Sequence, residues 1–145
     1  MRKSMLAALV FTLVACGGDK ATGPQNVTGT YTLQTVNGVN PPSAVYQDTQ
    51  QKVEVTDGTL NLNANNTWTG TLGGRFTDFT VTPNDVIDFA RQPLNGGTYT
   101  LNGSSLTLND PTERLVFTGT VSNGTLTLNV DLLGAGQLTT LVYSK

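Results

Sequence analysis

Apolar and polar side chains alternate along most of this chain with a period of two, the pattern of strands that bury one face. The alternation is punctuated by a unit written three times. The copies are Thr56-Asp57-Gly58-Thr59-Leu60-Asn61-Leu62-Asn63, Asn102-Gly103-Ser104-Ser105-Leu106-Thr107-Leu108-Asn109 and Ser122-Asn123-Gly124-Thr125-Leu126-Thr127-Leu128-Asn129. Each is a turn followed by Leu-x-Leu-Asn. In each, an apolar residue stands five positions before the first Leu: Val55, Leu101 and Val121. That spacing predicts a hairpin with a two-residue turn at Asp57-Gly58, Gly103-Ser104 and Asn123-Gly124. The first and third pairs suit a type I′ turn and the second a type II′ turn, the forms whose twist matches antiparallel strands. Val55 is then expected opposite Leu60, Leu101 opposite Leu106 and Val121 opposite Leu126, all on one face.

The same phase continues on either side of these units. Residues 27–36 place Val27, Gly29, Tyr31 and Leu33 on one face and Thr28, Thr30, Thr32 and Gln34 on the other. Asn37-Gly38-Val39-Asn40-Pro41-Pro42 ends that strand. Residues 43–50 read as a long loop with a short strand or helical turn around Val45-Tyr46. Asn63-Ala64-Asn65-Asn66-Thr67 fits a three-residue hairpin loop that sets Leu62 against Trp68, and Trp68, Gly70 and Leu72 carry the inward phase onward. Gly73-Gly74 allows a bend or bulge.

Residues 76–95 are the least regular. Phe76 and Phe79 are out of phase for one strand, and Pro83-Asn84 breaks the chain. Val86-Ile87-Asp88-Phe89 suits a short strand, and Pro93-Leu94-Asn95-Gly96-Gly97 reads as a loop. Beyond it, Tyr99 and Leu101 face Leu108 and Leu106. Asp110-Pro111-Thr112-Glu113 reads as a four-residue loop that sets Leu108 opposite Leu115. Leu115, Phe117, Gly119 and Val121 lead into the third turn, and Leu126, Leu128 and Val130 return. Residues 131–137 form a loop and residues 138–143 a last strand.

The expected fold is therefore all-β, an antiparallel up-and-down meander of about eight to ten strands. Its apolar face must be covered, and no amphipathic helix is present to cover it. The sheet then curls into a barrel with the first strand against the last; folding into a sandwich is the other solution.

Composition narrows the function classes. The chain has 145 residues, suited to one folded domain, and only 12% of them are charged. The few basic residues are scattered, which excludes a nucleic-acid footprint. There is no His, so the commonest general base and metal ligand are both missing. One Cys permits no internal disulfide.

The N-terminus reads as an export signal over residues 1–15. Arg2 and Lys3 precede an apolar run, residues 5–14, interrupted only by Thr12. The run is too short to span a bilayer but suits a signal-peptide core. It ends in Leu13-Val14-Ala15-Cys16, which resembles the lipobox of bacterial lipoproteins. That resemblance implies cleavage before Cys16 and acylation of Cys16, with a diacylglyceryl group on its sulfur and chains of the palmitate type. Several acyl chains hold a protein to a bilayer far better than one. Gly17 after the Cys, with no Asp there, favours the outer membrane over the inner by the enteric sorting rule. Residues 16–26 form the lipidated Cys and a small, polar tether, and residues 27–145 form the barrel domain. Without Arg2 and Lys3, six basic side chains remain against ten acidic ones, a formal charge of −4.

At Gly29-Thr30-Tyr31 the chain resembles the lipocalins and bacterial lipocalin-like lipoproteins, whose first strand begins Gly-x-Trp; here Tyr31 stands in the Trp position. Leu33-Gln34-Thr35-Val36-Asn37-Gly38 and the Asn/Gly-turned hairpins extend the likeness over most of residues 27–145. The resemblance implies an up-and-down barrel whose open end admits a small hydrophobic ligand, with residues 37–50 placed like a lid. Tyr31, Trp68, Tyr99 and Phe117 are the inward aromatics. They are read either as ordinary core or as the lining of a ligand cavity. A second resemblance, carried by Trp68-Thr69-Gly70-Thr71-Leu72-Gly73-Gly74, is to envelope proteins of the META type.

Nothing in the sequence points to catalysis, a metal or a cofactor. Asp85 and Asp88, with Asp78 nearby, offer a carboxylate pair or Ca²⁺ ligands, but no calcium-loop pattern surrounds them. They read better as solvated loop carboxylates. No Ser or Thr has a base partner in a known pattern. The expected function is a non-enzymatic, membrane-anchored envelope lipoprotein that binds a small hydrophobic ligand. The alternative is a structural or protein-interaction module of the envelope with a filled core.

Overall fold

In the computed structural model, which describes residues 26–145, the alternating segments become strands and no helix occurs among the described residues. The strands are β1 (Gly29–Val36), β2 (Ser43–Gln47), β3 (Gln51–Leu62), β4 (Thr67–Asp78), β5 (Asp85–Asn102), β6 (Ser105–Asp110), β7 (Leu115–Ser122), β8 (Thr125–Val130) and β9 (Thr139–Ser144). All pair antiparallel, in the order β1-β9-β8-β7-β6-β5-β4-β3-β2, and β1 also pairs with β3. That last pairing closes β1 and β3 through β9 into an eight-stranded barrel. The expected contact of first strand with last is present, with Leu33 opposite Tyr143 and Val36 opposite Leu141. Closure removes most of the free edges of the sheet.

β1 and β2 share one edge of β3. Gly29 to Thr32 lie against Leu62 to Thr59, and Ser43 to Gln47 lie against Val55 to Lys52. Residues 43–47 are thus a paired strand and not a free lid. Between β1 and β2 the chain is pinned by Asn37, whose amide donates to Thr140 O and whose Oδ1 accepts from Thr140 N, at 2.7 and 2.8 Å.

The inward phase fills the barrel. Tyr31, Leu60, Leu62, Trp68, Leu106, Leu108, Phe117, Leu126, Leu128, Leu141 and Tyr143 are all buried. Burial of each such side chain contributes about 1.5–3 kcal/mol, so this single apolar face is the main source of stability.

Two of the three repeats are the expected hairpins. Leu101 lies opposite Leu106 around Gly103-Ser104, with Gly103 at φ +61°. Val121 lies opposite Leu126 around Asn123-Gly124, at φ +50° and +77°, the pair of positive angles a type I′ turn requires. The three-residue loop at Ala64-Asn65-Asn66 is also as expected, with Asn66 at φ +62° and Leu62 opposite Trp68.

The first repeat is not a hairpin. β3 runs through Asp57-Gly58, and β4 pairs with it from Gln51 opposite Asp78 to Leu62 opposite Trp68. One extra residue, Thr56, bulges between the pair Val55 with Gly74 and the pair Asp57 with Gly73. A bulge shifts the inward phase by one residue, as a two-residue turn does, so Val55 and Leu60 share a face in either arrangement. Gly58 is used for close packing: a Cβ there would lie 3.0 Å from Leu72 Cδ1 and 3.3 Å from the Tyr143 hydroxyl.

The irregular stretch is the longest strand of the molecule. β5 pairs with β4 from Asp85 opposite Asp78 to Thr98 opposite Thr67, with register shifts at Leu72/Gly74 and Trp68/Gly70. Residues 93–97 are therefore strand and not loop. Pro93 is tolerated because β6 pairs with β5 only from Thr98 to Asn102, leaving the rest of that edge open. Gly73-Gly74 is a bulge site as expected. The turn after β6 keeps its expected four residues but is shifted: Asp110 pairs with Leu115, and Leu108 lies opposite Phe117 and not Leu115. Asp110 Oδ1 accepts from the amides of Thr112 and Glu113, at 2.9 and 3.1 Å, which moves the four-residue turn to residues 111–114.

Candidate functional site

The barrel interior has two unlike halves. Tyr31, Trp68, Tyr99 and Phe117 meet in one half, all buried, and their polar atoms are spent on backbone carbonyls. The Tyr31 hydroxyl donates to Val27 O at 2.7 Å, Trp68 Nε1 to Asn109 O at 3.1 Å and the Tyr99 hydroxyl to Asn63 O at 2.8 Å. The Trp68 and Phe117 rings meet edge to face, 5.5 Å between centroids. Val27 and Lys145 complete this end, with Lys145 Nζ 5.1 Å from the Tyr31 ring centroid. Burial, with a smaller contribution from Tyr99, pushes the Tyr31 phenol pKa up. These four aromatics are packed against one another and against the chain, and none borders a cavity described below.

The other half is open. β3, β4 and β5 extend beyond the point where β6 pairs, and bulges at Thr56 and at Leu72/Gly74 interrupt their pairing there. Between them lies an apolar cavity of about 210 Å³, lined chiefly by Val45, Val53, Val55, Leu72, Phe89 and Leu132. On β3, Gly58, the partner of the lining residue Leu72, and the lining residue Val53 stand four and nine residues from Leu62, so the mouth begins roughly 13 Å along the strand from the closed end and reaches to roughly 30 Å. The mouth borders residues 37–50 through Val45, and the loop of residues 131–137, which the sequence showed only as a loop, contributes Leu132 and Leu133 to its wall. The signal for Leu132 and Leu133 was present in the sequence, as two consecutive Leu inside a Gly-rich loop. Gly134 and Gly136, at φ +66° and +78°, shape that loop, and the Asp131 carboxylate holds it by accepting from Ala135 N and Gly136 N.

A larger recess, about 520 Å³, sits on the rim between the turn after β6 and the loop after β8. Glu113, Arg114 and Asp131 give it charged walls, and Val116 belongs to the outer surface, so it opens to solvent outside the apolar interior.

The carboxylates singled out in the sequence lie on the paired ends of β4 and β5, with Asp78 opposite Asp85 and Asp88 opposite Arg75. Asp88 pairs with Arg75 at 2.6 Å, which holds its carboxyl below the usual range. Asp78 accepts from the hydroxyl and amide of Thr80, and those bonds lower its pKa too. Asp85 lies opposite Asp78 on β5, so Asp85 and Asp88 are strand residues and not loop residues. Among the described residues no group of three or more Asp, Glu, Cys or His is placed to hold a metal ion. Cys16 and the export segment lie outside the described residues.

The fold and cavity define a closed, antiparallel, eight-stranded meander barrel with one packed end and one apolar mouth, an architecture compatible with a lipocalin-like barrel. No family model, no curated protein and no solved structure matches the chain.

Proposed function

We propose that the protein is a lipid-anchored envelope lipoprotein that binds a small hydrophobic ligand, without catalysis, at the mouth of its lipocalin-like barrel. The observation that carries this reading is the apolar cavity of about 210 Å³ walled by Val45, Val53, Val55, Leu72, Phe89 and Leu132. Its volume lies below the roughly 300–1,000 Å³ of drug-sized sites, so the ligand is small, or only one end of it enters. The lipobox-like Leu13-Val14-Ala15-Cys16 supports the anchor. Solvent extraction of purified protein followed by mass spectrometry should recover a stoichiometric apolar molecule; an empty extract from protein purified without detergent would argue against this reading. Cys16→Ala should release the protein from membranes, and persistent membrane attachment would remove the anchor from the account.

One observation favours the alternative reading, an interaction module of the envelope. The edge of β5 beyond Thr98 has no strand partner on its outer side, and Val86, Ile87 and Phe89 there are exposed. Sheet edges of this kind accept an added strand, although Pro93 and the Arg75–Asp88 pair are features that discourage such pairing. Cross-linking in cells from position 86 should give a defined partner if this reading holds.

A further inference from the structure

Tyr143 is buried to 0% exposure, and its hydroxyl has no hydrogen-bond partner. The tyrosines of the closed end differ, since Tyr31 and Tyr99 each donate to a carbonyl. Buried hydroxyls are nearly always paired, so a solitary one calls for an explanation. Its surroundings supply one. The Tyr143 ring projects from β9 toward Gly58 on β3, where a Cβ would lie 3.3 Å from the hydroxyl and 3.0 Å from Leu72 Cδ1, so the two share the space that the glycine leaves. Leu72 lines the apolar mouth. One half-buried leucine therefore separates the ligand cavity from an unused hydrogen-bonding group. The other buried oxygen without a partner, Asp110 Oδ2, belongs to a carboxylate already bound to two amides, and it does not border this cavity.

We infer that the Tyr143 hydroxyl is the polar anchor of the site, reached when Leu72 turns aside, and that the ligand is a small, uncharged, apolar molecule carrying one hydrogen-bonding oxygen. This rests on the binding reading above and specifies its ligand class. A cavity of about 150 Å³ holds benzene, so about 210 Å³ suits roughly eight non-hydrogen atoms. Among the described residues the one charged side chain lining the cavity is Glu54, paired with Lys52 at 3.0 Å, so the described lining, otherwise mostly aliphatic and aromatic, favours a neutral ligand over an anion. Burial also raises the Tyr143 phenol pKa, so the group stays protonated and able to donate.

The test compares heptan-2-one, heptane and heptanoate as probes on purified full-length protein in detergent-free buffer, using calorimetry and thermal shift. Wild type should bind the ketone about five- to tenfold more tightly than the hydrocarbon, and heptanoate least. Tyr143→Phe should abolish the preference for the ketone while keeping hydrocarbon binding. The ligand-free Tyr143→Phe protein should melt at the same temperature as wild type or up to about 8 °C higher, since an unpaired buried hydroxyl is removed. Leu72→Ala should tighten ketone binding. Equal binding of ketone and hydrocarbon by wild type, tightest binding of heptanoate, or a lower melting temperature for Tyr143→Phe would overturn the anchor while leaving the cavity as a ligand site. Failure of every probe on both wild type and Leu72→Ala would overturn the anchor and the binding reading together.

Discussion

The two halves of the barrel are made from the same alternating pattern and put it to opposite use. At the closed end, large aromatics pack together and their polar atoms find backbone acceptors. At the mouth, bulges at Thr56 and at Leu72/Gly74 interrupt the pairing of β3, β4 and β5, and Val53, Val55 and Phe89 line a cavity. The closed end is filled despite its own register shift at Trp68/Gly70, because large aromatics occupy its inward positions; the interruption at the mouth, around Thr56, is lined by valine and glycine. The interruption is written in glycine: a Cβ at Gly73 would come within 2.6 Å of Thr56 Oγ1, so a side chain there would collide with the bulged residue.

The largest expected effect of breaking this contrast comes from the closed end. Trp68→Ala removes a fully buried side chain, its contact with Phe117 and its bond to Asn109 O; it should cost about 3–5 kcal/mol in urea unfolding. The corresponding insult at the mouth, Leu132→Asp, should change stability by less than about 1 kcal/mol and abolish binding of apolar probes. If Leu132→Asp proves the more destabilising of the two, the mouth is core and the contrast fails.

Alkaline pH probes the interior directly. Burial holds the Tyr143 pKa above its ordinary value of 10.0. The folded state therefore keeps a proton that the unfolded state releases. Stability from this group is fully present below pH 10 and falls above it, by up to about 1.4 kcal/mol per pH unit. Tyr143→Phe should flatten that fall in a pH series of urea midpoints. An unchanged slope would mean that this phenol does not stay protonated in the fold.

The smallest effect on ligand binding is expected at the type I′ turn between β7 and β8. Gly124→Ala places a Cβ on a residue at φ +77° and should cost about 1–2 kcal/mol through backbone strain alone, with probe binding unchanged. Loss of binding in that variant would tie the far turn to the mouth, which nothing in the packing requires.

Much of this molecule is legible in its sequence, and the misreadings have one cause. The all-β meander, the closure of first strand on last, two of the three repeat hairpins and the Leu62–Trp68 register follow from alternation and turn chemistry. The first repeat misleads because a two-residue turn and a one-residue bulge leave the same mark: Val55 and Leu60 return to one face in both. Only the partner strand decides, and β4 is long enough to pair across the whole of β3. Residues 93–97 look like loop because Pro and Gly usually end strands, and the open outer edge that excuses Pro93 is a tertiary fact. The aromatics were found correctly but offered two roles, core or cavity lining; position along the barrel decides, and alternation carries no information about position. Tyr143 sat in the last strand without distinction, since an unpartnered hydroxyl becomes visible only once its neighbours are placed.

The central claim is that the mouth takes an apolar ligand while the aromatic end stays filled. An amide and methyl chemical-shift map recorded as heptan-2-one is added tests it most directly. The account predicts saturable shifts at Val45, Val53, Val55, Leu72 and Leu132, with the Trp68 indole unmoved. Shifts centred on Trp68 and Tyr99, or none at the mouth, would contradict it.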